Sequence, residues 1–272
     1  MLFASDLHFG ANRSEDIDAF LGAARHEAAG DRLVVIPGDL TMTGTVEEYD
    51  AASAFIRALL HLGLRVVLTP GNHDFGKWPG ERLGLRRETR NRFADLLKPI
   101  QDQPEVIAVR DFDAIHVIGT DVFVALRSTH RGQLSSLGVR GTGRIRGEQI
   151  DWAVAELTRL GVDDAPYRRH LITHRSLWQD EGVAPDKHGP MKRRGRLERE
   201  VLVPLAFKSF IHGHNHRPVM EHVALPKSRG VIARIGVPTL STRDHSPGQA
   251  RGWLVGALGS SELPRFVSTP QT

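Results

Sequence analysis

Apolar and polar residues alternate along the first seventy positions in blocks whose period switches between that of a strand and that of a helix. Met1–Ser5 is a short apolar run, and apolar residues then recur at helical spacing from Ile17 to Ala28. Leu33–Ile36 is a second continuous apolar run, and Leu64–Thr69 is a third. Such strand–helix alternation predicts a layered α/β fold with parallel strands.

The residues that bound these blocks agree with this interpretation. Gly30 follows the first helical block, at the position where helices commonly end. Thr45 and Glu48 form the capping-box pattern that begins a helix. One apolar face then continues to Gly63 through Ala52, Phe55, Ile56, Leu59 and Leu60.

The second half of the chain is richer in short apolar runs than in helical periods. We expect strands at residues 106–109, 115–120, 122–126, 171–173, 210–212, 219–223, 231–236, 253–257 and 266–267. Residues 146–160 instead have the period of a helix, with Ile150, Ala153, Val154 and Leu157 on one side. Because no repeat and no clear linker interrupts the pattern, we expect one domain over residues 1–272, made of two sheets flanked by helices.

Composition narrows the function classes. The 272 residues include no cysteine, which excludes a disulfide scaffold, a Cys-ligated zinc site, an iron–sulfur cluster and a cysteine nucleophile. The longest apolar runs are too short for a membrane span, and no charged segment precedes an apolar stretch at the start. We therefore expect a cytoplasmic protein without a membrane partner. The net charge of +4 favours anionic partners only slightly.

Potential metal ligands follow the predicted strands. In open α/β sheets, ligands bind outside the carboxyl ends of the strands, so side chains at those ends can converge although they are distant in sequence. Asp6, Asp39 and Asn72 are spaced 33 residues apart, about one β–α–β unit. The full candidate set is Asp6, His8, Asp39, Asn72, His174, His214 and His216.

Local spacing within these segments is also informative. In extended backbone, residues two apart point to the same side, so Asp6 with His8, and His214 with His216, can each address one site. Glycines at positions 38, 71 and 213 are expected to let the backbone turn tightly without a Cβ clash.

The donor set indicates a pair of divalent cations. Two carboxylates, one carboxamide and four imidazoles suit Mn²⁺ or Fe²⁺, with Zn²⁺ as an alternative, better than Ca²⁺ or Mg²⁺. Seven side chains exceed what one ion can use while keeping an open position. Two ions that share one carboxylate account for all seven.

The motifs together resemble those of the calcineurin-like metallophosphoesterases. They are Asp6-Leu7-His8, Gly38-Asp39, Gly71-Asn72-His73-Asp74, His174 and Gly213-His214-Asn215-His216, in the order of the family and covering residues 6–216. The resemblance implies a four-layer α-β-β-α sandwich with two mixed sheets. It also implies hydrolysis of a phosphoester by in-line attack of a hydroxide shared by two metal ions.

The resemblance assigns a role to each motif residue. Asp6, His8 and His216 would hold the first metal ion, Asn72, His174 and His214 would hold the second, and Asp39 would bridge both. His73 would be the catalytic histidine beside the phosphate, and Asp74 would orient it.

The segment Gly38–Gly44, followed by Glu47-Glu48-Tyr49, is similar to the subgroup that holds the class III cyclic-nucleotide phosphodiesterases. It favours a phosphodiester substrate, with nucleotides as one candidate class. A nuclease or a phosphomonoesterase is the alternative, since basic segments at 127–146 and 187–199 could contact a polyanion. No aromatic residues alternate with those arginines as a stacking platform, which disfavours nucleic acid. The complete ligand set argues against a non-catalytic interaction module, and nothing in the sequence indicates an oligomeric state.

Overall fold

Two mixed β-sheets pack face to face, with helices on the outer face of each. The computed structural model describes residues 1–27, 33–75, 85–129, 143–178, 191, 194–225, 230–241, 250–258 and 263–269. The helices are α1 (Ser14–Glu27), α2 (Val46–His61), α3 (Leu85–Gln101), α4 (Gly147–Arg159) and α5 (Arg194–Leu197), which continues into a π-helical turn at Glu198–Leu202.

The first sheet contains the parallel strands that the sequence predicts in its first half. Its order is β12-β11-β1-β2-β3. Strands β1, β2 and β3 are parallel, and β11 and β12 extend the sheet in antiparallel register. The bounds are β1 (Leu2–Phe3), β2 (Leu33–Ile36), β3 (Arg65–Leu68), β11 (Gly252–Val255) and β12 (Arg265–Ser268).

The second sheet has the order β4-β5-β6-β7-β8-β10-β9. Its centre is parallel from β6 through β7 and β8 to β10, and its edge strands are antiparallel. The bounds are β4 (Val106–Arg110), β5 (Asp113–Ile118), β6 (Asp121–Ala125), β7 (Arg168–Thr173), β8 (Ser209–His212), β9 (Val219–Ala224) and β10 (Val231–Gly236).

Alternation of side chains along the strands builds three apolar layers. Inward-facing Phe3, Val35 and Val67 of the first sheet pack between the sheets with Phe123, Ile172 and Ile211 of the second. The neighbouring positions Val34 and Val66 point outward against Phe20 of α1, Phe55 of α2 and Phe93 of α3. On the far side, Leu171 and Phe210 pack with Ile150 and Leu157 of α4 and Val201. Both sheets are therefore covered on both faces, and the four-layer α-β-β-α prediction is confirmed.

Most predicted elements are present, and the predicted capping box at Thr45 begins α2. The sequence interpretation left out α3, although Phe93, Leu96, Leu97 and Ile100 form an apolar face at helical spacing and are buried. Arginine-rich positions and Pro99 obscure that face. Gly30 lies outside the described residues. No helix in the described ranges is long and apolar enough to cross a membrane.

Candidate metal centre

The segments that follow β1, β2, β3, β7 and β8 meet where the carboxyl edges of the two sheets adjoin. Backbone hydrogen bonds join them within each sheet: Asp6 N donates to Gly38 O at 3.0 Å, and Gly213 N donates to His174 O at 3.1 Å. The backbone N–H of His214 donates to Asp6 Oδ2 across the two sheets, at 3.0 Å. The strand order of the two sheets therefore brings the candidate side chains together at their carboxyl edges.

One cluster of donor atoms contains Asp6, His8 and His216. His216 Nε2 lies 3.1 Å from Asp6 Oδ1 and 3.2 Å from His8 Nε2. The other oxygen of Asp6 is held by Ser5 Oγ at 2.6 Å as well as by the His214 backbone. Asp6 Oδ1 is therefore aimed at two ring nitrogens while Oδ2 anchors the carboxylate.

A second cluster is centred on His174 Nε2. This nitrogen lies 3.1 Å from Asp39 Oδ2, 3.2 Å from Asn72 Oδ1 and 3.2 Å from His214 Nδ1. The other ring nitrogen, His174 Nδ1, donates to Pro37 O at 2.8 Å. Since a carbonyl only accepts, this bond fixes the proton on Nδ1 and directs the Nε2 lone pair into the cluster.

Asp39 connects the clusters. It belongs to one donor group with His174 and His214 and to another with His8 and His73. Its Oδ1 accepts the backbone N–H of His73 at 2.8 Å, while its Oδ2 faces His174. This one buried carboxylate therefore lies close to imidazole nitrogens of both clusters, as a bridging ligand requires.

The donor atoms of the two clusters are arranged as ligands of a pair of cations would be. Asp6 Oδ1, which faces the first cluster, is buried without a hydrogen bond of good geometry in the described part of the chain. Ring nitrogens face each other at 3.2 Å in both clusters. Ligand atoms held about 2.0–2.2 Å from a common ion lie roughly 3 Å apart, which is the spacing seen here. The chemistry and the distances therefore fit divalent metal ions.

Charge and burial shift the pKa values of these groups in opposite directions. Burial lowers the pKa of His8 to about 4, which keeps the ring neutral and able to bind a cation. Burial would raise the pKa of Asp39, but the facing His174 and His73 rings hold it well below its usual range. Burial would lower the pKa of His174, but the Asp39 charge raises it to about 9. A cation must therefore displace a proton from His174 in order to bind.

The backbone at the ligands is not extended. Asp6, His8, Asp39, His214 and His216 have φ values of 51°, 49°, 52°, 70° and 55°. We predicted that residues two apart point to the same side because the backbone is extended, and this reason is wrong. The left-handed backbone conformation sets the direction of these side chains. It also explains why His214 and His216 point to different clusters. Non-glycine residues in this region cost free energy and concentrate at functional sites.

The expected Cβ clash is confirmed at all three glycines, and Gly38 in addition has a φ of 95°, which favours a residue without a side chain. At Gly71 a Cβ would lie 2.0 Å from Asp39 Oδ1, and at Gly213 it would lie 2.0 Å from Ser5 Oγ. These two glycines are required by close packing against the ligands and their supports rather than by a tight turn.

Asp74 does not orient His73. The His73 ring is held by Met42, whose carbonyl lies 2.8 Å from Nδ1. The buried carboxylate of Asp74 instead accepts Thr41 N at 2.9 Å, Thr41 Oγ1 at 3.2 Å and Gly71 N at 2.8 Å. Burial, reinforced by the Asp39 charge, raises the pKa of Asp74 to about 6. Asp74 therefore ties the loop after β2 to the loop after β3, and the predicted role is corrected.

Because Asp74 joins the two loops that carry Asp39 and Asn72, we expect Asp74→Asn to lower the free energy of unfolding and to weaken metal binding. The amide places an N–H₂ opposite an N–H donor, and losing one or two of the three bonds costs roughly 1–3 kcal/mol. Urea unfolding of the metal-free chain and a metal titration measure both effects.

The exposed Asp50 on α2 offers the control, since Asp50→Asn makes the same charge change away from the site. Unchanged stability and metal affinity in Asp74→Asn, with a reduced turnover rate, would contradict this role and restore the orienting one.

The sequence interpretation missed the residues that support the ligands. Met42, Thr41 and Tyr49 hold His73 and Asp74, and Tyr49 Oη donates to the Asp74 carbonyl. Only the subgroup resemblance of residues 38–49 hinted at their importance. Most of the two basic segments, residues 130–142 and 187–190 with 192–193, lies outside the described residues.

Comparisons with known proteins agree with this geometry. The sequence model of the calcineurin-like phosphoesterase family matches residues 1–218. No curated protein sequence matches the chain.

Solved structures share its fold at low sequence identity. A purple acid phosphatase from yellow lupin (Lupinus luteus) seeds has a TM-score of 0.62 at 14% identity, covering 93% of this chain. The chain spans 48% of that enzyme, about half its length. A dimetal phosphatase from Danio rerio has a TM-score of 0.60 at 17% identity over 93% of this chain and 90% of its own. Phosphopantetheinyl hydrolase from Mycobacterium tuberculosis has a TM-score of 0.50 at 14% identity over 88% and 89% of the two chains.

Proposed function

This chain belongs to the calcineurin-like phosphoesterase family, a family of metal-dependent phosphoester hydrolases, and we propose that it hydrolyses phosphodiesters at a centre of two divalent cations. Asp6, His8 and His216 would hold one ion, and Asn72, His174 and His214 would hold the other. Asp39 would bridge the two. Mn²⁺ or Fe²⁺ suits this mixture of nitrogen and oxygen donors, with Zn²⁺ as the alternative.

The observation that carries the proposal is the position of Asp39. It belongs to one donor group with His174 and His214 and to another with His8 and His73, and its Oδ2 lies 3.1 Å from His174 Nε2. When bound there, two cations supply an activated water nucleophile and neutralise charge on the phosphoryl oxygens.

His73 is placed to move a proton. Its Nδ1 is committed to Met42 O and its backbone N–H to Asp39 Oδ1, so the ring is fixed and only Nε2 is left for a substrate. The ring lies beside the first cluster, 4.8 Å from that of His8. The protonated ring can donate from Nε2 to the leaving oxygen, while the Met42 carbonyl stabilises the positive charge.

Support for a diester substrate comes from the segment at residues 38–49. Its Thr41 and Tyr49 brace Asp74, and its Glu48 accepts Thr43 N and Gly44 N, each at 2.7 Å. The residues that resemble the cyclic-nucleotide phosphodiesterase subgroup therefore hold the loops beside the site in place through hydrogen bonds. The alkoxide that leaves a diester also benefits from a proton donor such as His73.

Turnover of bis-p-nitrophenyl phosphate and p-nitrophenyl phosphate by the purified chain, loaded with Mn²⁺, Fe²⁺ or Zn²⁺, tests the proposal. We expect a higher kcat/KM for the diester and no turnover after treatment with a chelator. A higher kcat/KM for the monoester would make the chain a phosphomonoesterase. No turnover of either substrate with any of the ions would contradict the hydrolase function.

A further inference from the structure

One buried arginine beside the metal centre has no established task. Arg175 directly follows the candidate ligand His174 at the carboxyl end of β7 and is only 8% exposed. Its backbone is anchored, since its N–H donates to Ser128 Oγ at 3.1 Å and its carbonyl accepts Thr173 Oγ1 at 2.6 Å. Its side chain packs on Gly143, where a Cβ would lie 2.4 Å from Arg175 Cδ. The guanidinium is therefore held in place beside the site.

The guanidinium makes few contacts with polar groups of the described residues. Its one polar contact among the described residues is long, from Nη2 to Asn72 Oδ1 at 3.4 Å, and its Nε is buried without a hydrogen bond. No carboxylate in the described part of the chain forms an ion pair with it. Burial lowers its pKa to about 10, and the Asp39 charge opposes that shift, so the side chain is still a cation at neutral pH.

Other buried arginines show what a structural role looks like in this protein. Arg169, on the same strand, donates to the carbonyls of Leu205, Val162 and Asp164. Arg234 donates to Glu221 at 2.8 Å and to Ser176 at 3.0 Å. Burying a cation without such partners is costly. Among the described residues, the position of Arg175 therefore suits an anionic partner that is not part of the chain.

The charge balance of the site indicates the chemistry of that partner. Two divalent cations would bring four positive charges, against which the candidate ligands supply only the carboxylates of Asp6 and Asp39. Arg175 adds a further positive charge on the Asn72 side of the site. An anion with several oxygens would neutralise this excess of positive charge. The planar N–H donors of arginine match the geometry of phosphate oxygens.

We propose that Arg175 binds a non-bridging phosphoryl oxygen of the substrate and of the phosphate product. The inference rests on the proposed function, because it places the phosphoryl group at the same centre. Arg175 would therefore bind the phosphoryl group directly, in addition to the two cations.

Binding of inorganic phosphate to the Mn²⁺-loaded chain tests this inference directly by isothermal titration calorimetry. We expect Arg175→Gln to raise the Kd for phosphate about 10- to 100-fold, as for loss of a charged hydrogen bond. Metal content, measured by mass spectrometry, should not change. Arg175→Lys, which keeps the charge but not the planar fork, should lose less affinity and serves if the glutamine variant folds poorly. Arg169→Gln is the matched control and should bind phosphate like the wild type.

Several outcomes would overturn the inference. These are wild-type phosphate affinity in Arg175→Gln, no phosphate binding by the wild type, or loss of metal in Arg175→Gln, which would mean that the arginine only positions Asn72. Failure of the proposed function is a separate result: the wild type would bind phosphate, and lose that affinity in Arg175→Gln, without cleaving either nitrophenyl ester.

Discussion

Asp39→Asn is expected to abolish phosphoester hydrolysis and to lower the metal content of the purified protein. The substitution keeps the shape of the side chain but removes the negative charge that lies close to His174 and to His8. Charge stabilisation by a bound metal is worth several kcal/mol, and about 1.4 kcal/mol corresponds to a tenfold rate. A loss of ~10³-fold or more in kcat/KM for bis-p-nitrophenyl phosphate follows from these magnitudes.

The chain offers a matched control in Asp121→Asn. Asp121 is also a buried carboxylate against a histidine, 2.9 Å from His170 Nε2, but it lies at the amino end of β6, on the opposite edge of the sheet. We expect this variant to lose stability in urea unfolding while keeping its metal and its turnover. Full metal content and activity in Asp39→Asn would refute the bridging assignment.

His73→Asn is expected to lower kcat by about 10²- to 10⁴-fold, the usual contribution of general acid catalysis, with metal content unchanged. Asparagine preserves an N–H donor near the position of Nδ1 for Met42 O, and its backbone still donates to Asp39 Oδ1. Only the function of Nε2 is removed. The loss should be greater for an ester with an alkyl leaving group than for one that releases p-nitrophenolate, since the better leaving group needs less protonation.

His73 also forms a donor group with His8 and Asp39, so a role as a metal ligand is the competing interpretation. Loss of metal from His73→Asn would support that role and contradict the catalytic one. His61→Gln, at the exposed end of α2, controls for the removal of a histidine and should behave as the wild type.

Much of the fold could be predicted because its signals are local. Each apolar run that follows a helical block became a strand, and β2 spans Leu33–Ile36 as the pattern predicts. The helix α3 was missed although Phe93 and Leu97 carry the right spacing. Its many arginines lower the mean hydropathy, and only packing against the first sheet shows which residues face the core.

The sequence could predict which side chains of the candidate site lie together, but not the backbone conformation that brings them there. Residue types and strand ends brought Asp6 and His216 into one hypothesis although they are 210 positions apart. The left-handed backbone at both residues was not foreseen, because φ is imposed by the surrounding structure. Asp74 was given the wrong partner because sequence adjacency to His73 suggested contact, whereas the 3₁₀ turn directs its carboxylate to Thr41.

The sequence by itself determined the layered α/β class, the types of the candidate ligands and the order in which they occur, since periodicity and donor chemistry are properties of single residues and their near neighbours. Only the tertiary structure decided that Asp39 lies close to both clusters, that Met42 holds His73 and that, within the described part of the chain, Arg175 is buried without an ion pair. Those facts depend on distances of about 3 Å between segments far apart in the chain, and such distances are set by how the two sheets pack.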